Sequence, residues 1–223
     1  MRMSRPSPPT TLVLGLLAMG LLTACQDDPT LPEAETPEAV LDEAGLAAAA
    51  EEVATLETEY RQEAEQRASG ERPIPDRAEL AVALGASAVE LADRILDEEG
   101  ADPEQLRLLD AATQYQRQAV IALERGDAAR ALAFARRACW TALHAVVLPG
   151  GVTLEEARMI HQVAGTLLAE ARATVDPTDP TASLLLEWAG RMYEAGSRAL
   201  EGGSVRSVAV LWKSAVLSAH LTG

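Results

Sequence analysis

The sequence is poor in basic residues and has no long apolar run. Its 223 residues include 34 acidic side chains against 19 basic ones, which gives a formal charge of −15. A chain of this charge is not expected to bind nucleic acid by neutralising phosphates. Its apolar N-terminal stretch, residues 12–22, is too short to span a bilayer. Hydrophobic residues nevertheless make up 48% of the chain, which is enough to form a folded core.

Sequence patterns that carry catalytic or cofactor chemistry are also missing. The chain contains no CxxCH, GxSxG, GxxxxGK[ST] or GxGxxG motif. Its three histidines, His144, His161 and His220, fall in separate predicted helices, and none has a second ligand at metal-binding spacing. The sequence therefore predicts a protein without enzymatic activity, cofactor or metal site. A catalytic site formed by residues that are distant in sequence would not show in these motifs, so it is left open at this point.

The first 25 residues have the pattern of an export signal. Arg2 and Arg5 precede the apolar stretch, and that stretch ends in Leu22-Thr23-Ala24-Cys25. This segment resembles the lipobox of bacterial lipoprotein precursors, an aliphatic residue followed by two small residues and a cysteine. The resemblance implies removal of a signal peptide, residues 1–24, and acylation of Cys25, which would anchor the protein to a membrane without spanning it. An ordinary secretory signal with a chance cysteine is the alternative.

The residues around Cys25 bear on localisation. In enteric lipoproteins an aspartate after the lipidated cysteine favours the inner membrane, whereas this chain has Gln26 there. The resemblance therefore implies the bacterial cell envelope, facing the periplasm or the cell surface, with the outer membrane favoured. Since acylation would use Cys25, only Cys139 remains, and no disulfide is expected. We expect Cys139 to be an inert core residue.

The acidic surplus lies close to the expected lipid anchor. Residues 25–70 hold 13 acidic and two basic side chains. Three prolines make residues 25–37 a predicted tether, and residues 38–70 form a predicted acidic helix with a thin, interrupted apolar stripe. This helix is expected either to dock loosely on the rest of the protein or to form a partly free stalk.

Residues 76–223 form a predicted all-α domain. Apolar residues recur at i, i+3, i+4 and i+7, and glycine or proline breaks separate the helical stretches. Asp102, Asp127, Thr153, Asp179 and Ser204 stand where helix N-caps are expected. The six predicted helices cover residues 77–98, 103–125, 127–147, 153–174, 180–201 and 204–221.

The breaks repeat at a spacing of 77 residues. Asp102-Pro103 recurs as Asp179-Pro180, and Gly126-Asp127 recurs as Gly203-Ser204. Because alanine-rich helices align easily but loops do not, this spacing predicts two tandem three-helix units at about residues 77–147 and 153–221. The units would form a helical bundle or a short solenoid.

The hairpin turn of each unit resembles a known repeat family. Residues 122–132 look like the turn of a tetratricopeptide repeat, in which small residues let two antiparallel helices pack closely. The matching positions are Ala119, Ala122, Gly126, Asp127, Ala131 and Ala138, with Tyr115 at the early aromatic position, and in the second unit Gly196, Ala199, Gly203 and Ala215. The long helices, the third helix per unit and Leu143 in place of the closing proline depart from that family.

The resemblance implies a concave face for a protein or peptide partner. The residues expected to line it are Thr113, Gln116, Val120, Tyr193 and Ser197, for which a solvated or inter-helix position is the alternative. Trp140, Trp188 and Trp212 are expected to anchor the core. The sequence thus predicts a non-catalytic binding or scaffolding module. The alternative is a small-ligand or metal-binding bundle, which an enclosed cavity lined by Trp, Met and His would favour over an open groove.

Overall fold

The structure is a computed structural model that describes residues 41–67, 76–147 and 151–223, all within the compact unit Pro37–Gly223. The expected signal peptide, Cys25 and the tether lie outside these residues. Within the described ranges the chain forms α-helices and no strand, which confirms the predicted all-α fold. The helices are α1 (Glu43–Arg67), α2 (Arg77–Glu99), α3 (Pro103–Glu124), α4 (Ala128–Val147), α5 (Leu154–Thr174), α6 (Pro180–Glu201) and α7 (Ser207–Thr222).

Most helix starts are fixed by the predicted capping residues. The Asp102 carboxylate accepts the backbone N–H groups of Glu104 and Gln105, and Pro103 occupies the first position of α3. Asp179 caps α6 in the same way, ahead of a proline. Thr153 forms a capping box with the third residue of α5. These local signals explain why the predicted helix starts are close to the observed ones.

Two predicted helix starts are wrong. Helix α7 begins at Ser207 rather than at residue 204, because a turn that places Val205 in the core comes first; Ser204 therefore does not cap the helix. Helix α1 begins at Glu43 rather than at residue 38. Leu41 instead pairs with Val152 through two backbone hydrogen bonds of 2.8 and 2.9 Å. Residues 38–40 and 68–70 of the predicted helix lie outside the described ranges.

Helices α2 to α4 and α5 to α7 form two units of the same design. In each unit the third helix packs against both of the others. Gly126 and Gly203 end the second helix with φ of 74° and 76°, a conformation that favours glycine. In both turns the residue after the glycine donates its backbone N–H to an earlier carbonyl at 2.9 Å. The two bonds are Asp127 N–H to Ala122 O and Ser204 N–H to Ala199 O. The 77-residue spacing thus corresponds to a repeated backbone geometry.

Small residues set the spacing of the helices. In the first unit Ala119, Ala122, Ala131 and Ala138 are all buried between helices. In the second unit Gly196 is so close to α7 that a Cβ there would lie 2.6 Å from Leu211 Cγ. Close helix contact, with dispersion contacts between backbones, compensates for the small area that alanine buries.

Helix α1 docks on the bundle. Leu46, Ala49 and Val53 are each only 1% exposed and belong to the main core, where α1 packs on α7. Ion pairs accompany this apolar contact: Glu52 with Arg206 at 3.3 Å, Glu63 with Arg191 at 2.8 Å, and Glu57 with Lys213. The described part of the acidic helix is therefore a component of the folded domain.

Candidate ligand-binding cleft

A cleft separates α1 from α2 and α4. Helix α1 packs on α7, and a space of about 550 Å³ lies between α1 and the helices α2 and α4. We call this space the central cleft. Its volume falls within the range of small-molecule sites in proteins.

One face of α1 forms a wall of the central cleft. Its lining residues recur every three or four positions, as one side of a helix requires, and include Ala47, Ala50, Ala54, Thr58 and Arg61. The opposite wall consists of residues of α2 and α4, among them Leu80, Leu84, Leu132, Ala135, Trp140 and His144. Leu46 and Val53 also line the cleft, and they anchor the helix to the core.

The floor of the central cleft is apolar. Trp188, Met192 and Leu217 reach it from α6 and α7 and are at most 5% exposed. Cys139 lies beside them and is a free thiol. Burial raises its pKa, which favours the protonated thiol near neutral pH. Trp188 therefore contributes both to the core and to the cleft.

Lys213 is a charged group within this apolar setting. Its side chain is 11% exposed and forms an ion pair with Glu57 of α1, which is 28% exposed. Burial is the largest single influence and lowers the pKa of Lys213, but the charge and hydrogen bond of Glu57, together with Cys139, outweigh it and the pKa is raised. Lys213 is thus an ammonium ion near neutral pH, in contact with the cleft.

The lining of the central cleft is cationic. Five basic residues line it, namely Arg61, Arg77, Arg136, Arg137 and Lys213, against two acidic residues, Glu51 and Glu57. The whole chain carries −15. The cleft therefore has the opposite sign of charge to the protein as a whole.

The residues predicted to line a partner groove on α3 take different positions. The Gln116 amide donates to Val82 O on α2 at 2.9 Å, and the Thr113 hydroxyl donates to Leu109 O within its own helix. Val120 is 38% exposed. Gln116 thus makes an inter-helix contact, which was the stated alternative. Of these three residues, only Val120 is exposed, whereas Thr113 and Gln116 are partly buried.

The two predicted groove residues on α6 contact α5. The ring of Tyr193 stacks on His161 with centroids 5.0 Å apart, and the Ser197 hydroxyl is 3.0 Å from His161 Nε2. The structure therefore does not bring Tyr193 and Ser197 into one lining with Gln116. It places them at the contact between the first two helices of the second unit.

The histidines do not form a metal centre in the part of the chain that the structure describes. No group of three or more His, Cys, Asp or Glu side chains is arranged there to hold a metal ion. His144 lines the central cleft, His161 contacts Tyr193, and His220 Nδ1 lies 3.3 Å from the Ser87 hydroxyl.

His220 gives a test of the contact between α7 and α2. Burial lowers the pKa of His220 below 6.5, so its folded form favours the neutral imidazole. Its contribution to stability is complete above about pH 6.5 and is lost as pH falls through the lower folded pKa. We expect His220→Gln to show a smaller loss of melting temperature than the wild type between pH 7 and pH 5. Equal losses in both proteins would contradict this assignment.

Lys213 was not singled out by the sequence analysis. It is the only lysine of the chain, among 18 arginines, and it interrupts the apolar helix α7. That singularity is the signal that could have drawn attention to it. Its partner Glu57 is more than 150 residues away, so the pairing itself has no local signature.

Comparisons with known proteins return no family model, no curated protein and no solved structure that matches this chain. Among the described residues, no helix is both long and apolar enough to cross a membrane. The geometry of the central cleft therefore carries the functional argument.

Proposed function

We propose that this chain is a lipid-anchored envelope protein whose helical domain binds a small, largely apolar ligand in the central cleft without catalysis. The N-terminal lipobox supports the anchor. The observation that carries the binding role is the cleft of about 550 Å³, lined by Trp140, Trp188, Met192 and His144. These are the residue types that distinguish a ligand pocket from a peptide groove in a helical bundle.

The shape of the cleft favours an elongated ligand. Residues 46–61 of α1 line it, a length of about 22 Å at the rise of an α-helix. An extended chain of up to about that length can therefore lie along α1 in the cleft.

Filling the cleft is expected to abolish binding. The Ala54 side chain lines the α1 wall, so Ala54→Trp places an indole in the space that the ligand would occupy. We expect dodecanol to bind the wild type, measured by isothermal titration calorimetry, and to bind the variant at least tenfold more weakly. Ala173→Trp, at an exposed position of α5 away from the cleft, is the matched control and should bind normally. If neither dodecanol nor an anionic or cationic amphiphile of the same length binds the wild type, the proposed ligand site is wrong.

The anchor requires Cys25. We expect Cys25→Ala to move the protein from the membrane fraction to the soluble fraction of its bacterial host, because two or three acyl chains hold a protein stably on a bilayer. Cys139→Ala removes the buried thiol and should remain with the membrane. A Cys25→Ala protein that still sediments with membranes would show that another feature anchors it.

A protein partner is the second candidate. Val120 and Ile121, adjacent in α3, are 38% and 45% exposed, and Leu106 near the start of the helix is 52% exposed. Exposed large apolar side chains of this kind favour a protein contact. Affinity capture from envelope extract with the wild type and with Ile121→Glu tests it, because a specific partner must be lost in the variant.

A further inference from the structure

We propose that the ligand of the central cleft is an anionic amphiphile, an unbranched apolar chain ending in a carboxylate or a similar anion, whose head group binds between Lys213 and Arg136. This inference rests on the proposed ligand site and adds the chemical class of the ligand. This class follows from three features of the cleft: the excess of basic residues in its lining, the low exposure of Lys213 and the apolar side chains of its floor.

Among the described residues near Lys213 in the cleft, basic side chains outnumber acidic ones. Lys213 pairs with Glu57, and Arg136 of α4 also lines this part of the cleft. Arg136 acts on the Lys213 ammonium, since its positive charge opposes the rise in the pKa of that group. Two basic side chains and the Glu57 carboxylate therefore line the cleft near each other, and an anionic head group would offset the excess positive charge.

The depth of Lys213 makes this excess charge effective. A side chain that is 11% exposed is poorly screened by water, so its attraction for an anion is stronger than at the protein surface. Glu57 is more exposed, at 28%, and belongs to α1, which contacts the bundle mainly through α7. An incoming head group can therefore join the pair without first removing a deeply buried carboxylate.

The rest of the cleft fits an apolar chain. Beside the charged group lie Trp188, Met192 and Leu217 on the floor, and Leu80 and Leu84 on the α2 wall. Alkyl groups buried against such side chains gain about 0.8 kcal/mol per methylene. The arrangement of one charged region next to an elongated apolar lining is complementary to an amphiphile with a single chain.

Ligands of equal chain length and different charge test the proposed chemical class of the ligand. Calorimetric titrations of the folded protein would compare dodecanoate, dodecanol and dodecyltrimethylammonium, below the concentrations at which they aggregate. We expect dodecanoate to bind about tenfold more tightly than dodecanol, and the cationic probe to bind most weakly. Dodecyl phosphate distinguishes a specific carboxylate site from a general anion site, and tighter binding of either anion than of dodecanol supports the proposal.

Variants at the head-group position locate the effect. Arg136→Gln is expected to reduce the preference for dodecanoate over dodecanol about tenfold, because it removes one of the two cations. Its matched control is Arg130→Gln on the same helix, which is exposed and pairs with Asp127 outside the cleft. Glu57→Gln should have the opposite effect and tighten dodecanoate binding, because it removes a like charge beside the head group. Circular dichroism and a thermal melt confirm that each variant is folded.

The outcomes separate this inference from the proposed function. If dodecanol and dodecanoate bind equally well and both are excluded by Ala54→Trp, the cleft is a ligand site but not an anion site. If no probe binds, the proposed function itself fails. If dodecanoate is preferred but Arg136→Gln and Glu57→Gln leave that preference unchanged, the head group binds elsewhere and the assignment to Lys213 and Arg136 is overturned.

Discussion

Replacing Trp212 by alanine is expected to lower the free energy of unfolding by about 3–5 kcal/mol. Trp212 lies on α7 and has no exposed surface, so its loss leaves a cavity in the main core. Its indole N–H also donates to Cys139 O of α4 at 3.1 Å. The variant thus removes both packing and a buried hydrogen bond between the two three-helix units.

Urea unfolding followed by circular dichroism measures this loss. Trp140→Ala is the matched control, because Trp140 is only half-buried and lines the central cleft. We expect it to destabilise the fold clearly less than Trp212→Ala does. A Trp212→Ala protein as stable as the wild type would contradict the packing of α7 at the centre of the molecule.

Replacing Glu57 by glutamine is expected to cost about 2 kcal/mol of stability, because it leaves the Lys213 ammonium buried without a carboxylate. The cost is below that of a fully buried pair, since Glu57 is 28% exposed and the new amide oxygen can still accept a hydrogen bond. Binding of an anionic amphiphile should restore part of this loss in Glu57→Gln, because the ligand supplies the missing negative charge.

The double variant Glu57→Gln/Lys213→Met tests whether the loss of stability in Glu57→Gln comes from the unpaired ammonium of Lys213. It removes both charges and keeps similar volumes, so we expect its stability to return close to that of the wild type. Glu52→Gln is the matched control: the Glu52–Arg206 pair is more than half exposed on both sides, and its loss should change stability by less than about 0.5 kcal/mol. Equal effects at Glu52 and Glu57 would show that the depth of Lys213 does not matter.

The pH dependence of the pair has a defined sign. The folded pKa of Lys213 is raised, so its contribution to stability is complete below the ordinary lysine value of about 10.5 and is lost as pH rises through the folded pKa. Alkaline unfolding should therefore depend on Lys213. The double variant, which has no charge at either position, should lose less stability than the wild type above that pH.

Local chemistry made the helices of residues 76–223 predictable. An aspartate followed by proline, as at Asp102 and Asp179, fixes a helix start within a few residues, and a glycine with positive φ, as at Gly126, fixes an end. Prediction was wrong at residue 204 because the burial of Val205 selects the start of α7. It was wrong at residue 38 because Leu41 pairs with a residue more than 100 positions away.

The acidic segment shows why the site was harder to predict. The sequence left open whether it docks loosely or forms a partly free stalk, and the structure pairs Glu52, Glu57 and Glu63 with Arg206 just before α7, Lys213 of α7 and Arg191 of α6. Each pairing spans more than 120 residues, and sequence periodicity carries no information about such contacts. The predicted groove residues had the same difficulty, since Gln116 and Tyr193 contact neighbouring helices that only the tertiary arrangement brings to them.

The sequence by itself therefore determined the elements of this protein: an all-α chain, two units spaced by 77 residues, and an acidic segment at its N-terminal side. These properties depend on caps, turns and periodicity, which act over a few residues. Only the tertiary structure decided that α1 docks on α7, that a cleft opens between α1 and α4, and that the single lysine lies within it. Those features depend on which distant surfaces pack together, and that is settled by the fit of side chains across the whole domain.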